Sequence, residues 1–555
     1  MTVGRRNSAL LMAVLALSAV IVVTAFNPAP HAGGDNAGYL SLAHGLLTEG
    51  AYVDAYDPER APHTKYPPVF PLVLATMMLV GARTWVTFKA VAAVATVAAV
   101  GLTFLWAERR VGPVPAFCVA TLLAASSAVV YYSHWILSDP LFLALTLASL
   151  VALERAPHEE GPWLALGVVA AGLALFTRSA GLPLVLAIFG WLGLRRRWRA
   201  LAVTASALGV PTIAWWLRGR GSDVASYAQE FWMVDPYQPG LGTVDLLGLL
   251  PRALDNIGAY VLSHGPGGIV GQGTPGLGLV GVGLTLAAIG GWIVRARARV
   301  GVAELFFPLY AGLILVWPQV WAGDRFALPL YPLVFVYTTV VLTELAGRMP
   351  GVVGRLVSVA AFVALLLPAA QSWSDRVREA RECARVTRAD GAFACYGPRV
   401  GGFVEAAEWA GRFLPEDGAV LTRKPRHFYV LSGVPSRTFP FDEDPEAHLT
   451  LADRLGASYV LLDQWDGLAG RYVGAAVRSE PGAFCFVRDF GQYGRVAAQL
   501  LGIVSPAART PTTLEGAGGV QIAGCPESYT RASTLEAYPS PSASGRIPLL
   551  DGLDS

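Results

Sequence analysis

The chain is organised around apolar runs of about 15 to 20 residues separated by short polar clusters, and this leaves few folds open. A helix of that length matches the hydrocarbon core of a bilayer. One run precedes Phe26, and ten more lie at about 84–106, 113–132, 138–153, 162–176, 179–194, 200–217, 276–294, 303–321, 326–346 and 352–370. Composition agrees: 54% of the residues are apolar and only 15% are charged, against about 25% charged in an ordinary soluble domain. A net charge of +2 gives no support to a nucleic-acid partner.

The gaps between runs set an expected threading. "ERR" (Glu108–Arg110), "ERAPHEE" (Glu154–Glu160), "RRRWR" (Arg195–Arg199) and "RARAR" (Arg295–Arg299) are compact and mostly basic, and Arg348 and Arg355 flank another gap. Short basic loops belong in the cytoplasm. All of these gaps fall there only if one further stretch, "HTKYPPVFPLVLATMMLVGA" (63–82), does not cross. Its "PPVFP" head lacks three backbone donors, so 67–82 reads as a short surface or re-entrant helix. The expectation is about eleven spans with the N-terminus cytoplasmic and the C-terminus outside. Arg5 and Arg6 precede a first run that is long for a signal peptide and lacks a clean cleavage site, so it reads as a retained helix.

Two outer loops are then long, 27–83 and about 219–275. Beyond Ala370 the composition turns mixed polar. "AVLTR", "ASYVLLD" and "AFCFVRDF" read as strands, and "PRVGGFVEAAEWAGRFL" and "RVAAQLLGIV" as helices. The expected fold is a polytopic α-helical membrane protein with juxtamembrane helices in its first outer loop and a C-terminal extracytoplasmic α/β domain. The domains are 1–370, 371–530 and a loose tail, 531–555. Four cysteines lie in the terminal domain, and an oxidising compartment favours two disulfides, with Cys383–Cys395 and Cys485–Cys525 preferred among three connectivities. Cys118 lies in a membrane helix.

On this threading the outer face collects ionisable groups near the lipid boundary, where such residues are costly and tend to be functional. "GGDNAGYLSLAHGLL" supplies Asp35, with Tyr39 one turn later. His63, Lys65 and Tyr66 follow. "YYSHWILSDPLF" gives His134 and Asp139, "LFTRSAGLP" gives Arg178, and "VWAGDRFALPLYP" gives Asp324 and Arg325. Plainer roles are open to each: Asp139-Pro140 suits a helix start, Asp35 a cap, the arginines an interfacial anchor, His134 a packed ring. Together they suit a reaction in which a carboxylate takes a proton and cations receive a leaving phosphate. No Walker loop or Rossmann glycine fingerprint supports a nucleotide donor. No cofactor is expected, although Asp35 with Asp139 could in principle hold a divalent cation.

The ordered set "DNAGYLSLAHGLLTEG", "HTKYPPVFPLVLA", "SHWILSDPLFLAL" and "LFTRSAGLPLVLA" resembles the GT-C superfamily of integral-membrane glycosyltransferases. The nearest branch is that of protein O-mannosyltransferases and lipid A aminoarabinose transferases. The resemblance is good over roughly residues 5–200. It implies a polyprenyl- or dolichyl-phosphate sugar donor, transfer at the outer face of the plasma or inner membrane, and inversion. It also implies Asp35 as the base, Lys65 at the donor phosphate, and Asp139 as the acidic residue of the third-to-fourth span turn. The acceptor is a lipid, glycan or protein. The terminal domain shows no β-trefoil repeats of the eukaryotic protein mannosyltransferases, which counts against a protein. A transporter or flippase of lipid-linked sugars is the alternative, and a non-enzymatic membrane scaffold a third reading. A flippase would place charge along mid-membrane helices, where this sequence has almost none.

Overall fold

The computed structural model describes residues 3–156, 161–218, 227–492, 495–505, 522–531 and 545–554. Part of "ERAPHEE" and of the second long loop therefore lies outside the described residues. Every one of the eleven apolar runs is helical. They are Val3–Thr24, Trp85–Val111, Pro113–Ala125 followed by Ser127–Tyr132, Asp139–Glu154, Pro162–Thr177, Leu182–Leu194, Trp198–Arg218, Leu277–Ala298, Val302–Val316, Tyr331–Gly347 and Gly351–Asp390. Among the described residues six helices are long and apolar enough to cross a membrane. Val203, Trp216, Leu279, Leu286 and Leu367 point large apolar side chains outward, as lipid-facing residues do. This is a multi-pass membrane protein.

Local sequence explains the breaks. Gly112 and Gly161 each take φ 84° and are followed by a proline that opens the next helix. The stretch after "PPVFP" forms Val69–Leu79. At 11 residues it is roughly 16 Å long, too short for a hydrocarbon core of about 30 Å. The last apolar helix does not stop near Ala370 as the change in composition implied. It runs on to Asp390, because "SDRVREARECARVTRAD" is rich in helix formers.

Packing divides the chain into two units. The first holds Met1–Asn27, Thr64–Phe70 and Lys89–Arg381; the second holds Pro28–His63, Pro71–Phe88 and Glu382–Ser555. The first has a core of small, branched and aromatic side chains, among them Val100, Ala120, Leu123, Ile188 and Phe306.

The second unit is built on a five-stranded sheet: β1 (Val420–Leu421), β2 (Ser436–Arg437), β3 (Tyr459–Asp463), β4 (Phe484–Gln492) and β5 (Arg495–Ile503). The order is β2-β1-β3-β5-β4. β1 runs parallel to β2 and β3, while β5 is antiparallel to β3 and β4. "AVLTR", "ASYVLLD" and "AFCFVRDF" are the strands expected, and "PRVGGFVEAAEWAGRFL" forms helix Pro398–Phe413. "RVAAQLLGIV" is not a helix but β5. A short apolar run carries no decisive period, and pairing on both edges, Leu500 opposite Leu461 and Arg488, sets the strand. Both expected disulfides, Cys383–Cys395 and Cys485–Cys525, are formed.

The same unit contains helix Gly34–Thr48 and a small loop closed by a Val53–Pro62 bridge. The end of the chain is held there too: the Ile547 amide donates to the Arg83 carbonyl at 3.0 Å, and Ile547 and Leu550 are fully buried. So 545–554 is packed rather than loose.

Candidate active site

Charge in the first unit collects at two opposite ends of its helices. One end is marked by the last turn of Trp85–Val111, the last turn of Asp139–Glu154 and the first turn of Val302–Val316. There Arg110 donates to Glu304 at 2.6 Å and to Glu154 at 2.8 Å. The Tyr337 hydroxyl donates to Glu304 at 3.3 Å.

The other end begins at Asp139, roughly 22 Å from Glu154 along the same helix. Asp139 is the first helical residue and Pro140 follows it, so the backbone is preset and the helix dipole favours the carboxylate. Both its oxygens are engaged. Arg178 Nη1 lies 2.9 Å from Oδ1, and Arg325 reaches Oδ2 through Nε and Nη2, each at 2.8 Å. Arg178 stands just past Pro162–Thr177 in extended conformation, which turns its side chain out of the helix line. It also donates to Ser138 Oγ at 3.2 Å and lies 5.6 Å from the Phe326 ring. Beside Arg325, Asp324 accepts from the Tyr132 hydroxyl at 2.9 Å. Gly268 is required here, since a Cβ on it would fall 1.9 Å from Tyr331 Oη and 2.8 Å from Asp324 Cβ.

Two carboxylates and two guanidiniums balance, which limits the cost of gathering charge among apolar helices. Asp139 is buried, yet the Arg178 and Arg325 side chains remain 15% and 21% exposed. The result is a pair of fixed, partly exposed cations at one end of the helices, a pairing of the kind that suits an anion.

Lys65 reaches the same end by another route. Its ammonium sits on the Glu230 carboxylate. Glu230 lies on helix Tyr227–Trp232, whose Tyr227 and Phe231 rings pack on Trp317 at 5.8 and 6.1 Å. Trp317 caps the C-terminal end of Val302–Val316, the end from which the chain continues to Arg325. Arg252 grips the shelf, donating to the Phe231 and Met233 carbonyls at 2.6 Å each. Lys89 is also at this end and fully buried: its Nζ donates to the Asn27 carbonyl at 2.7 Å and lies 4.5 Å from the Trp135 ring. His134 is buried among the Tyr131, Trp135 and Phe26 rings, and Tyr66 is buried as well.

In the second unit, Asp35 lies in the first turn of Gly34–Thr48, half-buried, with Tyr39 buried one turn later. The helix N-terminus favours the charged carboxylate. His63 Nδ1 lies 2.7 Å from Asp54, both nearly inaccessible, which holds the 52–63 loop closed. A further polar group follows β1 and β3, where Arg423 Nε lies 2.8 Å from Asp466. Burial raises the Asp463 carboxyl to about 6 and lowers the His427 imidazole to about 3.

Of the residues singled out by sequence, Asp139, Arg178, Asp324 and Arg325 come together, and Lys65 and His134 lie at the same end on other partners. Asp35, Tyr39 and His63 belong to the other unit. Sequence reasoning missed Glu230, Lys89 and Tyr132. Lys89 carried a readable signal, a lone lysine inside the apolar run "WVTFKAVAAV". Glu230 sits in an aromatic loop with no pattern to mark it. Among the described residues no three His, Cys, Asp or Glu side chains gather as a metal site.

Residues 65–216 match the family described as dolichyl-phosphate-mannose-protein mannosyltransferase. No curated protein matches the chain. Among solved structures, ArnT from Cupriavidus metallidurans bound to undecaprenyl phosphate is similar at 14% identity, with a TM-score of 0.53 over 90% of this chain and 99% of that one. The same protein in its apo state gives 0.52 at 13% identity, over 91% and 99%. The apo oligosaccharyltransferase of Archaeoglobus fulgidus gives 0.51 at 13% identity, over 82% of this chain and 69% of that one.

Proposed function

We propose that this chain, which has the fold of the GT-C superfamily of integral-membrane glycosyltransferases, moves a sugar from a polyprenyl-phosphate-linked donor to an acceptor at the outer face of the cell membrane, with inversion. The observation that carries the reading is the gathering of Lys65, Arg178 and Arg325 at one end of an apolar helical body, with Asp139 holding the two guanidiniums. A lipid-linked phosphate lies where such cations meet the membrane surface, and the relative solved with undecaprenyl phosphate supports that donor class.

In the reaction, an acceptor hydroxyl or amine attacks the anomeric carbon from the face opposite the phosphate. The bond from that carbon to the phosphate oxygen breaks, and its electron pair stays on the lipid phosphate. The acceptor proton passes to Asp35. Lys65 binds the phosphate, and Arg178 and Arg325 offset the charge that grows on it. Asp139 keeps their forks in place, and Tyr66, His134 and Asp324 shape the surroundings at that end of the helices. A single displacement inverts the centre.

A transfer assay with the full-length protein tests this. General-base catalysis contributes about 10²–10⁴-fold, so Asp35→Asn should lose at least that factor and still bind donor. Turnover above about a tenth of wild type would remove Asp35 as the base. Lys65→Ala should chiefly weaken donor binding.

A further inference from the structure

Lys65 already has an anion on it. Its ammonium contacts the Glu230 carboxylate directly, and among the described residues that is its one charged partner. Glu230 does not ride on a loose strand. Arg252 donates to the Phe231 carbonyl of its helix and to the Met233 carbonyl just past its end, Tyr227 and Phe231 pack on Trp317, and the Asn256 amide ties the Leu315 and Trp317 carbonyls at 2.8 and 2.9 Å. The carboxylate is held in place in front of Lys65.

We propose that Glu230 is an internal competitor of the lipid phosphate for Lys65, a fixed carboxylate that weakens phosphate binding and so helps to release the lipid phosphate once transfer is done. This rests on the reading of Lys65 as the phosphate-binding residue. Charge explains why such a competitor is useful. The donor is a phosphodiester with one negative charge. Transfer leaves a phosphomonoester, which carries about −1.5 to −2 at pH 7. The product therefore holds a cation more tightly than the substrate does, and it stays anchored by the same lipid chain. A fixed carboxylate next to the ammonium offsets this excess without a moving part. Glu230 touches the binding residue and not the reacting atoms, so it is a positioning residue.

The test uses the full-length protein in nanodiscs, with undecaprenyl monophosphate as the probe and uncharged undecaprenol as the control. Glu230→Gln should bind the monophosphate about tenfold more tightly than wild type, with no change for undecaprenol. Its turnover should be inhibited by correspondingly lower concentrations of added monophosphate. Lys65→Ala should weaken monophosphate binding, and adding Glu230→Gln to it should bring no gain. Glu230→Asp keeps the charge but shortens the reach, and should tighten binding by a smaller factor; it serves if the glutamine variant does not fold. If Glu230→Gln binds no more tightly while Lys65→Ala binds more weakly, the competitor role is wrong and the phosphate role of Lys65 stands. If Lys65→Ala changes nothing, the reading of Lys65 fails and this inference with it.

Discussion

Arg110 and Asp139 do similar work with charge at opposite ends of the same helical unit, and they differ in what remains exposed. The Arg110 guanidinium and the Glu304 carboxylate are both only 2% exposed. Removing one member of a buried pair strands the other, at a cost of about 3–5 kcal/mol. Arg110→Met should therefore depress the thermal midpoint of the purified protein strongly. Glu154→Gln, at a 29% exposed position, should cost less than about 1 kcal/mol. Asp139→Asn poses the opposite question. It keeps the shape and removes the charge that holds two guanidiniums, so activity should fall at least about tenfold while the chain still folds. An unchanged transfer rate in a steady-state assay would show that the two arginines need no such holder. These residues were visible in the sequence because an ionisable group at the end of an apolar run is conspicuous. Their pairing was not, because Arg325 lies 186 positions from Asp139 and no local pattern reports so distant a contact.

At the level of elements, apolar periodicity located the helices and only some of the strands. β1, β3 and β4 are legible from branched and aromatic residues, but β5 reads as a helix in isolation because its strand character comes from its two neighbours. Covalent links reinforce this part of the fold. Loop-closure entropy assigns about 4 kcal/mol to Cys485–Cys525, 40 positions apart, and about 3 kcal/mol to Cys383–Cys395, 12 apart. Cys525→Ser should thus lower the melting temperature more than Cys395→Ser does. Gly502 of β5 lies against the first bridge, where a Cβ would sit 2.7 Å from both sulfurs, so Gly502→Val should disturb that bridge. The polar group beyond β1 and β3 gives two opposed pH effects. His427 drops from 6.5 to about 3: its stabilisation is present above pH 6.5 and is lost as pH falls from there towards 3. Asp463 rises from 3.8 to about 6: its contribution is full below pH 3.8 and is lost as pH rises through 6. In denaturant titrations from pH 7 to 4, His427→Gln should flatten the acid loss and Asp463→Asn should steepen it. Identical slopes in both variants and wild type would refute the assignment.

For the whole molecule, spacing and charge were enough to read a polytopic helical protein with a terminal α/β portion, because the bilayer imposes one length on every span. What the sequence concealed was how the chain is shared between the units: 28–63 and 71–88 pack with residues beyond 382, while 64–70 packs with the long helices. Such exchange is set by tertiary packing and leaves no compositional boundary in the loop. The central claim, that the chain transfers a sugar from a lipid phosphate, is tested most directly by mass spectrometry of envelope glycans and lipids from cells with the protein, without it, and complemented by wild type or Asp35→Asn. The expected result is loss of one glycosylated species and accumulation of its polyprenyl-phosphate donor in the deletion, both reversed by wild type and neither by Asp35→Asn. An unchanged glycan and lipid profile in the deletion, or full restoration by Asp35→Asn, would contradict the account.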